Sequence, residues 1–147
     1  MNDELGVDPV ELLRDASSVL FVDWAHQDMP GSLIRTGRTV YGHEPDGFRV
    51  HEIVADADGE RARRFPVVGG GYLASTMIDP PATVDLVCTY RPPEEQPDIA
   101  RNGIAIGAKS FWVHAEAESS DEARQICDAA GVVFVDAVDI RDVAARL

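Results

Sequence analysis

At 147 residues and 45% hydrophobic content the chain is sized for one domain with one core of ordinary size, and a second domain is not expected. Its net charge of −13 excludes nucleic acid as an expected partner, because a phosphate backbone is gripped by clustered Lys and Arg; such an acidic balance mainly favours solubility. No apolar run approaches the roughly 18 residues of a membrane span, and the N-terminal stretch MNDELGVDPVELL has neither the basic nor the apolar region of a signal peptide, so a cytoplasmic protein without membrane contact is expected.

Asp8-Pro9-Val10-Glu11 combines a capping residue, a Pro at the first helical position and an acid three after the cap. This predicts a helix to about Ala16, within an N-terminal arm over residues 1–17. Residues 19–22, VLFV, read as a first apolar strand that ends at Asp23-Trp24-Ala25. A connection over 25–31 leads into a short helical segment through Thr36, which Gly37 stops. Residues 38–41 read as a second strand, ended by Gly42-His43-Glu44-Pro45.

From 46 to 64 the chain turns polar and charged, which predicts a variable loop or insertion, or a hairpin involving 48–54. Arg61, Arg63 and Arg64 read as solvated surface rather than a phosphate clamp. Residues 65–68 form a brief strand. The Gly69-Gly70-Gly71 run lacks both Gly-x-Gly-x-x-Gly spacing and the Lys-Ser/Thr of a P-loop, so it reads as a flexible turn. Residues 73–78 read as one helical turn, stopped by Asp79-Pro80-Pro81.

Residues 84–114 then read as a complete βαβ unit. Residues 84–89 are nearly continuous in apolar character, as a parallel strand covered on both faces requires. The segment 94–106 places Ala100, Gly103, Ile104 and Gly107 at i, i+3, i+4 and i+7, one small and apolar helical face, with Gly107 as the left-handed residue that ends the helix. Residues 109–113 resume a strand. A right-handed crossover of this kind leaves Tyr90-Arg91-Pro92-Pro93 and His114 onward on one common sheet edge, where ligands of open parallel sheets bind.

Beyond it, Ser119 followed by Glu122 gives a capping box, and Ala123, Ile126, Cys127 and Ala130 share one face of a helix closed by Gly131. Residues 132–135 form a last strand, and Asp139 caps a final helix carrying Ile140, Val143, Ala144 and Leu147 on one side. Such alternation predicts a single α/β domain, Rossmann-like, with a mainly parallel sheet of five or six strands and helices on both faces. Cys88 and Cys127 lie far apart without CxxC or clustered His, so they read as small buried hydrophobes rather than reactive thiols or ligands.

Asp85-Leu86-Val87, Tyr90-Arg91-Pro92, Ala105-Ile106-Gly107-Ala108-Lys109 and Phe111-Trp112-Val113-His114 together resemble the small, single-domain CoA-binding proteins, Rossmann-like modules related to the CoA-binding domain of acyl-CoA synthetases. The likeness runs from about Ser18 to Leu147 and is most specific over 84–114. It implies coenzyme A or an acyl-CoA as a nucleotide-type ligand held by Asp23, Trp24, Ala25, Pro30, Gly31, Ser32, Gly42, His43, Tyr90, Arg91, Pro92, Trp112 and His114.

Members of that family carry a glycine in the first-strand loop that receives the pyrophosphate, and here Asp23 stands in its place. A nearby carboxylate repels a diphosphate by about 1 kcal/mol or more, which roughly offsets what one helix N-terminus offers an anion. Ser32 and the backbone N–H groups around Gly31 remain able to meet a phosphate. Asp23 itself is either a ligand-facing residue or a loop cap. Arg91 suits a phosphate or a salt bridge with Glu94 or Glu95, Trp112 a core position or a stacking platform, and His114 a ligand contact, where the family often has Gln, or a satisfied strand end.

No catalytic set emerges. His26, His43, His51 and His114 are scattered without ligand or triad spacing, so neither a metal nor a nucleophilic mechanism is expected. The larger synthetases add a phosphohistidine-bearing and a nucleotide-grasp domain, for which 147 residues leave no room, and a non-catalytic binding protein is expected. The alternative is a degenerate module that binds another protein or forms a homodimer, suggested by Asp23 and by the ring of Glu44, Glu94, Glu95, Glu116 and Glu118 at the strand ends.

Overall fold

The computed structural model describes residues 7–26, 28–44, 49–55, 64–66, 72–79 and 81–147. In chain order the first elements are α1 (Pro9–Asp15), β1 (Ser18–Val22), α2 (Asp28–Ile34), β2 (Thr39–Glu44), β3 (Arg49–Ala55), β4 (Arg64–Pro66) and β5 (Tyr72–Ile78). Then follow β6 (Leu86–Thr89), α3 (Gln96–Ala105), β7 (Ser110–His114), α4 (Asp121–Ala130), β8 (Val133–Val138) and α5 (Ile140–Ala144). They build one α/β domain around a sheet of order β4-β5-β3-β2-β1-β6-β7-β8.

The five strands β2, β1, β6, β7 and β8 pair in parallel, and every residue of β6 and of β7 is buried, as strands covered on both faces require. Successive side chains alternate between two cores. Val19, Phe21, Leu86, Cys88, Trp112 and Val135 meet α1, α2 and α5 through Val10, Leu13, Met29, Leu33, Ile140 and Val143. On the opposite face Leu20, Val22, Val87, Phe111, Val113 and Phe134 meet Ala100 of α3 and Ala123 and Cys127 of α4. Helices on both faces of a mainly parallel sheet are the expected Rossmann-like arrangement. Both cysteines are free and buried, and burial pushes the Cys127 thiol up to about 11 and the Cys88 thiol higher still.

Three further strands extend the sheet in antiparallel fashion beyond β2. The segment expected to form a helical turn at 73–78 is instead β5. One isolated turn gains little against its nucleation cost, whereas Tyr72–Ile78 pairs over six register positions with β3. The polar stretch at 46–64 contributes β3 and the start of β4. Residues 45–48 and 56–63 lie outside the described residues, as do Arg61 and Arg63 and the Gly69-Gly70-Gly71 run.

Helix ends follow the sequence closely. Asp8 accepts from Val10 N–H at 2.9 Å with Pro9 behind it, and Asp139 accepts from Arg141 N–H at 2.9 Å. Gly37, Gly107 and Gly131 all adopt positive φ. Several boundaries move, among them the end of β2, which runs on to Glu44 instead of stopping at Gly42. The cap of α4 is Ser120, accepting from Ala123 N–H at 3.1 Å, so the expected Ser119–Glu122 box is displaced by one residue. Helix α2 starts at Asp28, which places Pro30, Gly31 and Ser32 inside it rather than ahead of it. Among the described residues no helix is long and apolar enough to cross a membrane.

Candidate functional site at the switch between β1 and β6

The chain leaves β1 for β2 on one side of the sheet, while β6 adds on the other side, so connectivity reverses between β1 and β6. The carboxyl edge at such a reversal is the usual ligand position of an open α/β sheet. Thr89 at the end of β6 fastens the two strand ends together: its hydroxyl donates to Val22 O at 3.0 Å and accepts from Arg91 N–H at 3.1 Å. Tyr90 N–H also donates to Val22 O, at 3.3 Å.

Asp23 turns the first loop with a left-handed backbone at φ 64°. That conformation suits glycine best, and Asp is among the few side chains that tolerate it because its short carboxylate bonds locally. Here its Oδ1 accepts from Trp24 N–H at 2.9 Å. The other oxygen, Oδ2, lies 3.2 Å from Arg91 Nη1. Asp23 thus caps its loop and pairs with Arg91 as well. Arg91 also holds Glu95 in a two-pronged contact, Nε to Oε1 at 3.1 Å and Nη2 to Oε2 at 2.7 Å. Bonding to Glu95 foremost, and to Asp23, raises the guanidinium's hold on its proton still further.

Gln96, fully buried at the start of α3, fixes the base of this arrangement. Its side-chain amide donates to Arg91 O at 3.0 Å and to Glu118 O at 2.7 Å, and its oxygen accepts from Ser120 N–H at 2.9 Å. One side chain therefore joins the loop after β6 to the loop after β7.

On the β2 side, a Cβ on Gly42 would stand 3.0 Å from Trp24 Cζ3 and 3.0 Å from Ile53 Cδ1. The missing side chain is what lets the Trp24 ring lie against the strand, where it also meets Phe21 edge-on at 6.2 Å. His43 follows directly, half-buried.

On the β7 side, His114 is 1% exposed, and its ring lies 5.7 Å from Tyr90 and 6.0 Å from His26, both edge-on. Glu116 Oε1 receives both imidazoles, His26 Nε2 at 2.7 Å and His114 Nε2 at 3.3 Å. Bonds from His26 and then His114 hold the Glu116 carboxyl below its ordinary range.

The expected residues Asp23, Trp24, Gly42, Tyr90, Arg91 and His114 thus come together, with Ala25, His43 and Pro92 along the same edge. Trp112 does not join them: it is 1% exposed, packed in the core under α2 and α5, with its indole N–H given to Ser110 Oγ at 3.0 Å. Pro30 and Gly31 are buried inside α2, and Ser32 donates its hydroxyl back to Met29 O at 2.7 Å. The first turn of α2 instead carries the carboxylate of Asp28, 2.9 Å from Arg141. Sequence spacing missed Gln96, His26 and Glu116; the last two meet across 90 positions.

A family model described as a CoA binding domain matches residues 49–138. No curated protein matches the chain. Among solved structures, cell-free ID.343 from Thermus thermophilus is 17% identical, covering 99% of this chain and 98% of its own, with a TM-score of 0.62. A hypothetical protein from Pyrococcus horikoshii OT3 is 18% identical, covering 100% of this chain and 92% of its own, with a TM-score of 0.63. Prb, a protein redesigned for binding, is 18% identical with the same coverage and a TM-score of 0.65.

Proposed function

The chain belongs to the CoA-binding domain family, and from that premise we propose that it binds coenzyme A or an acyl-CoA without catalysis, in the crevice between the loops after β1 and β6. The residues that would meet the ligand are Asp23, Trp24 and Ala25 on one side, Gly42 and His43 beside them, and Tyr90, Arg91, Pro92 and His114 on the other. A cytoplasmic location accompanies this reading.

The observation that carries it is the Asp23–Arg91 pair at 3.2 Å. Arg91 stands at the crevice of a CoA-type fold, and it removes most of the objection to Asp23 by neutralising the carboxylate. Both partners are about one-third exposed, side chains 29% and 35%, so their pair contributes at most about 1 kcal/mol. A charge-assisted, two-pronged contact to phosphate contributes about 1.5 to 3 kcal/mol. A ligand phosphate that took the place of Asp23 on Arg91 would gain more than that pair contributes, less about 1 kcal/mol of repulsion from the released carboxylate, while Glu95 keeps the guanidinium in place.

Calorimetric titration with CoA, acetyl-CoA, NAD and ATP tests the reading: heat with the first two and little with NAD is expected. No heat from any of the four at millimolar ligand would overturn it.

One observation favours a second reading, a module that binds protein instead. Among the described side chains, Arg91 and Arg141 are already engaged by acids, Arg91 by Asp23 and Glu95, Arg141 by Asp28 and Asp139. Under that reading native mass spectrometry shows a stable homodimer or partner complex, and Arg91→Ala changes no small-molecule binding.

A further inference from the structure

We infer that His26, His114 and Glu116 form a binding site for one divalent transition-metal ion of zinc's class. The site borders the proposed CoA site and shares His114 with it. The loop after β1 supplies His26, the end of β7 supplies His114, and the turn beyond β7 supplies Glu116.

Each residue offers one ligand atom, and the three atoms lie within 4.8 Å of one another. The Nε2 of His26 is 2.7 Å and the Nε2 of His114 3.3 Å from the same oxygen, Glu116 Oε1. Ligand atoms bound about 2.0 to 2.2 Å from a tetrahedral ion stand about 3.3 to 3.5 Å apart. The His114–Glu116 separation already has that value, while the His26 nitrogen, 2.7 Å from Glu116 Oε1 and within 4.8 Å of the His114 ligand atom, would have to shift to meet both spacings.

His114 is the buried member of the cluster. It is a buried side chain, 1% exposed, whose Nδ1 has no hydrogen-bond partner. Its one polar contact, through Nε2, is directed into the cluster and is long for a hydrogen bond. Coordination through Nε2 would give this buried ring a stronger partner there than a carboxylate at 3.3 Å; the unpartnered atom, Nδ1, is the other ring nitrogen. Two imidazoles and one carboxylate suit zinc, cobalt or nickel and disfavour calcium or magnesium, which take oxygen donors. Three protein ligands leave a fourth position open to water or to another ligand.

The test uses the full chain without any CoA, so that its outcome is separate from the CoA reading. Co(II) is titrated by visible absorption and Zn(II) by calorimetry into wild type, His26→Ala, Glu116→Gln and Asp98→Asn, with circular dichroism to verify folding. Saturation at one equivalent with intense tetrahedral Co(II) bands is expected. At least about tenfold weaker binding is expected for His26→Ala and Glu116→Gln, whose exposed side chains can be changed without disturbing the core, and no change for Asp98→Asn. No binding at millimolar Zn(II), or binding unaltered in both His26→Ala and Glu116→Gln, would overturn the assignment.

Discussion

Arg91 Nη1 lies 3.2 Å from Asp23 Oδ2, although the two residues are 68 positions apart, because β1 and β6 are neighbours at the point where the chain's connectivity reverses. The pair bridges the loops after β1 and β6. It gives Asp23 three simultaneous roles: a left-handed turn, a cap on Trp24 N–H, and a counter-ion for Arg91.

Replacement of Asp23 by glycine separates these roles. Glycine adopts φ 64° freely, so the turn survives, and the local hydrogen bond and a part-exposed ion pair are lost at about 1 kcal/mol of stability. With Arg91 released, CoA affinity stays similar or rises by up to about tenfold. Affinity that falls by more than tenfold would mean that Asp23 contacts the ligand favourably.

Gln96→Leu keeps the volume and removes three hydrogen bonds, leaving Arg91 O, Glu118 O and Ser120 N–H without that partner. Urea denaturation should show a loss of about 2 to 4 kcal/mol, well above the typical surface substitution. A loss below about 0.5 kcal/mol would mean that water replaces the amide without cost.

Gly42→Ala pushes a methyl group to 3.0 Å from both the Trp24 ring and Ile53. Because Ile53 is buried at 2% exposure, the half-buried indole is the side that gives way. Trp24 fluorescence should shift to the red while Trp112, buried in the core, holds its emission. An unchanged spectrum would contradict the packing.

Much of this architecture was legible in the sequence. The cap residues Asp8 and Asp139 and the helix stop at Gly107 act as read, because capping and left-handed termination are local chemistry within a few residues. The parallel strands were legible because burial on both faces demands continuous apolar runs. What was not legible depends on distance. Glu116 gathers His26 and His114 only once β1 and β7 lie in one sheet, and Gln96 looks like an ordinary polar residue until the loops it joins are in place. Strand β5 was missed because its pairing with β3 lies beyond any local signal.

Asp85 provides the pH prediction. Its Oδ2 accepts from Ser17 Oγ at 2.7 Å and Ser17 N–H at 2.8 Å, and these bonds, the hydroxyl first, hold its carboxyl below the ordinary range. A lowered folded-state value means that the unfolded chain takes up the proton more readily. The contribution is therefore complete above the unfolded titration near about 4 and is lost as pH falls through the lower folded value. Asp85→Asn should cost about 1 to 2 kcal/mol at pH 7, and its deficit against wild type should shrink below about pH 4. A deficit that stays constant down to about pH 2 would contradict the assignment.

The most direct test is calorimetric titration of CoA into wild type and Arg91→Ala under identical salt. If Arg91 exchanges Asp23 for a ligand phosphate, wild type binds one CoA and Arg91→Ala loses about 1 to 3 kcal/mol of binding free energy with the fold intact. Equal affinity in the two proteins, or no binding by wild type, would contradict the placement of CoA at the crevice between β1 and β6.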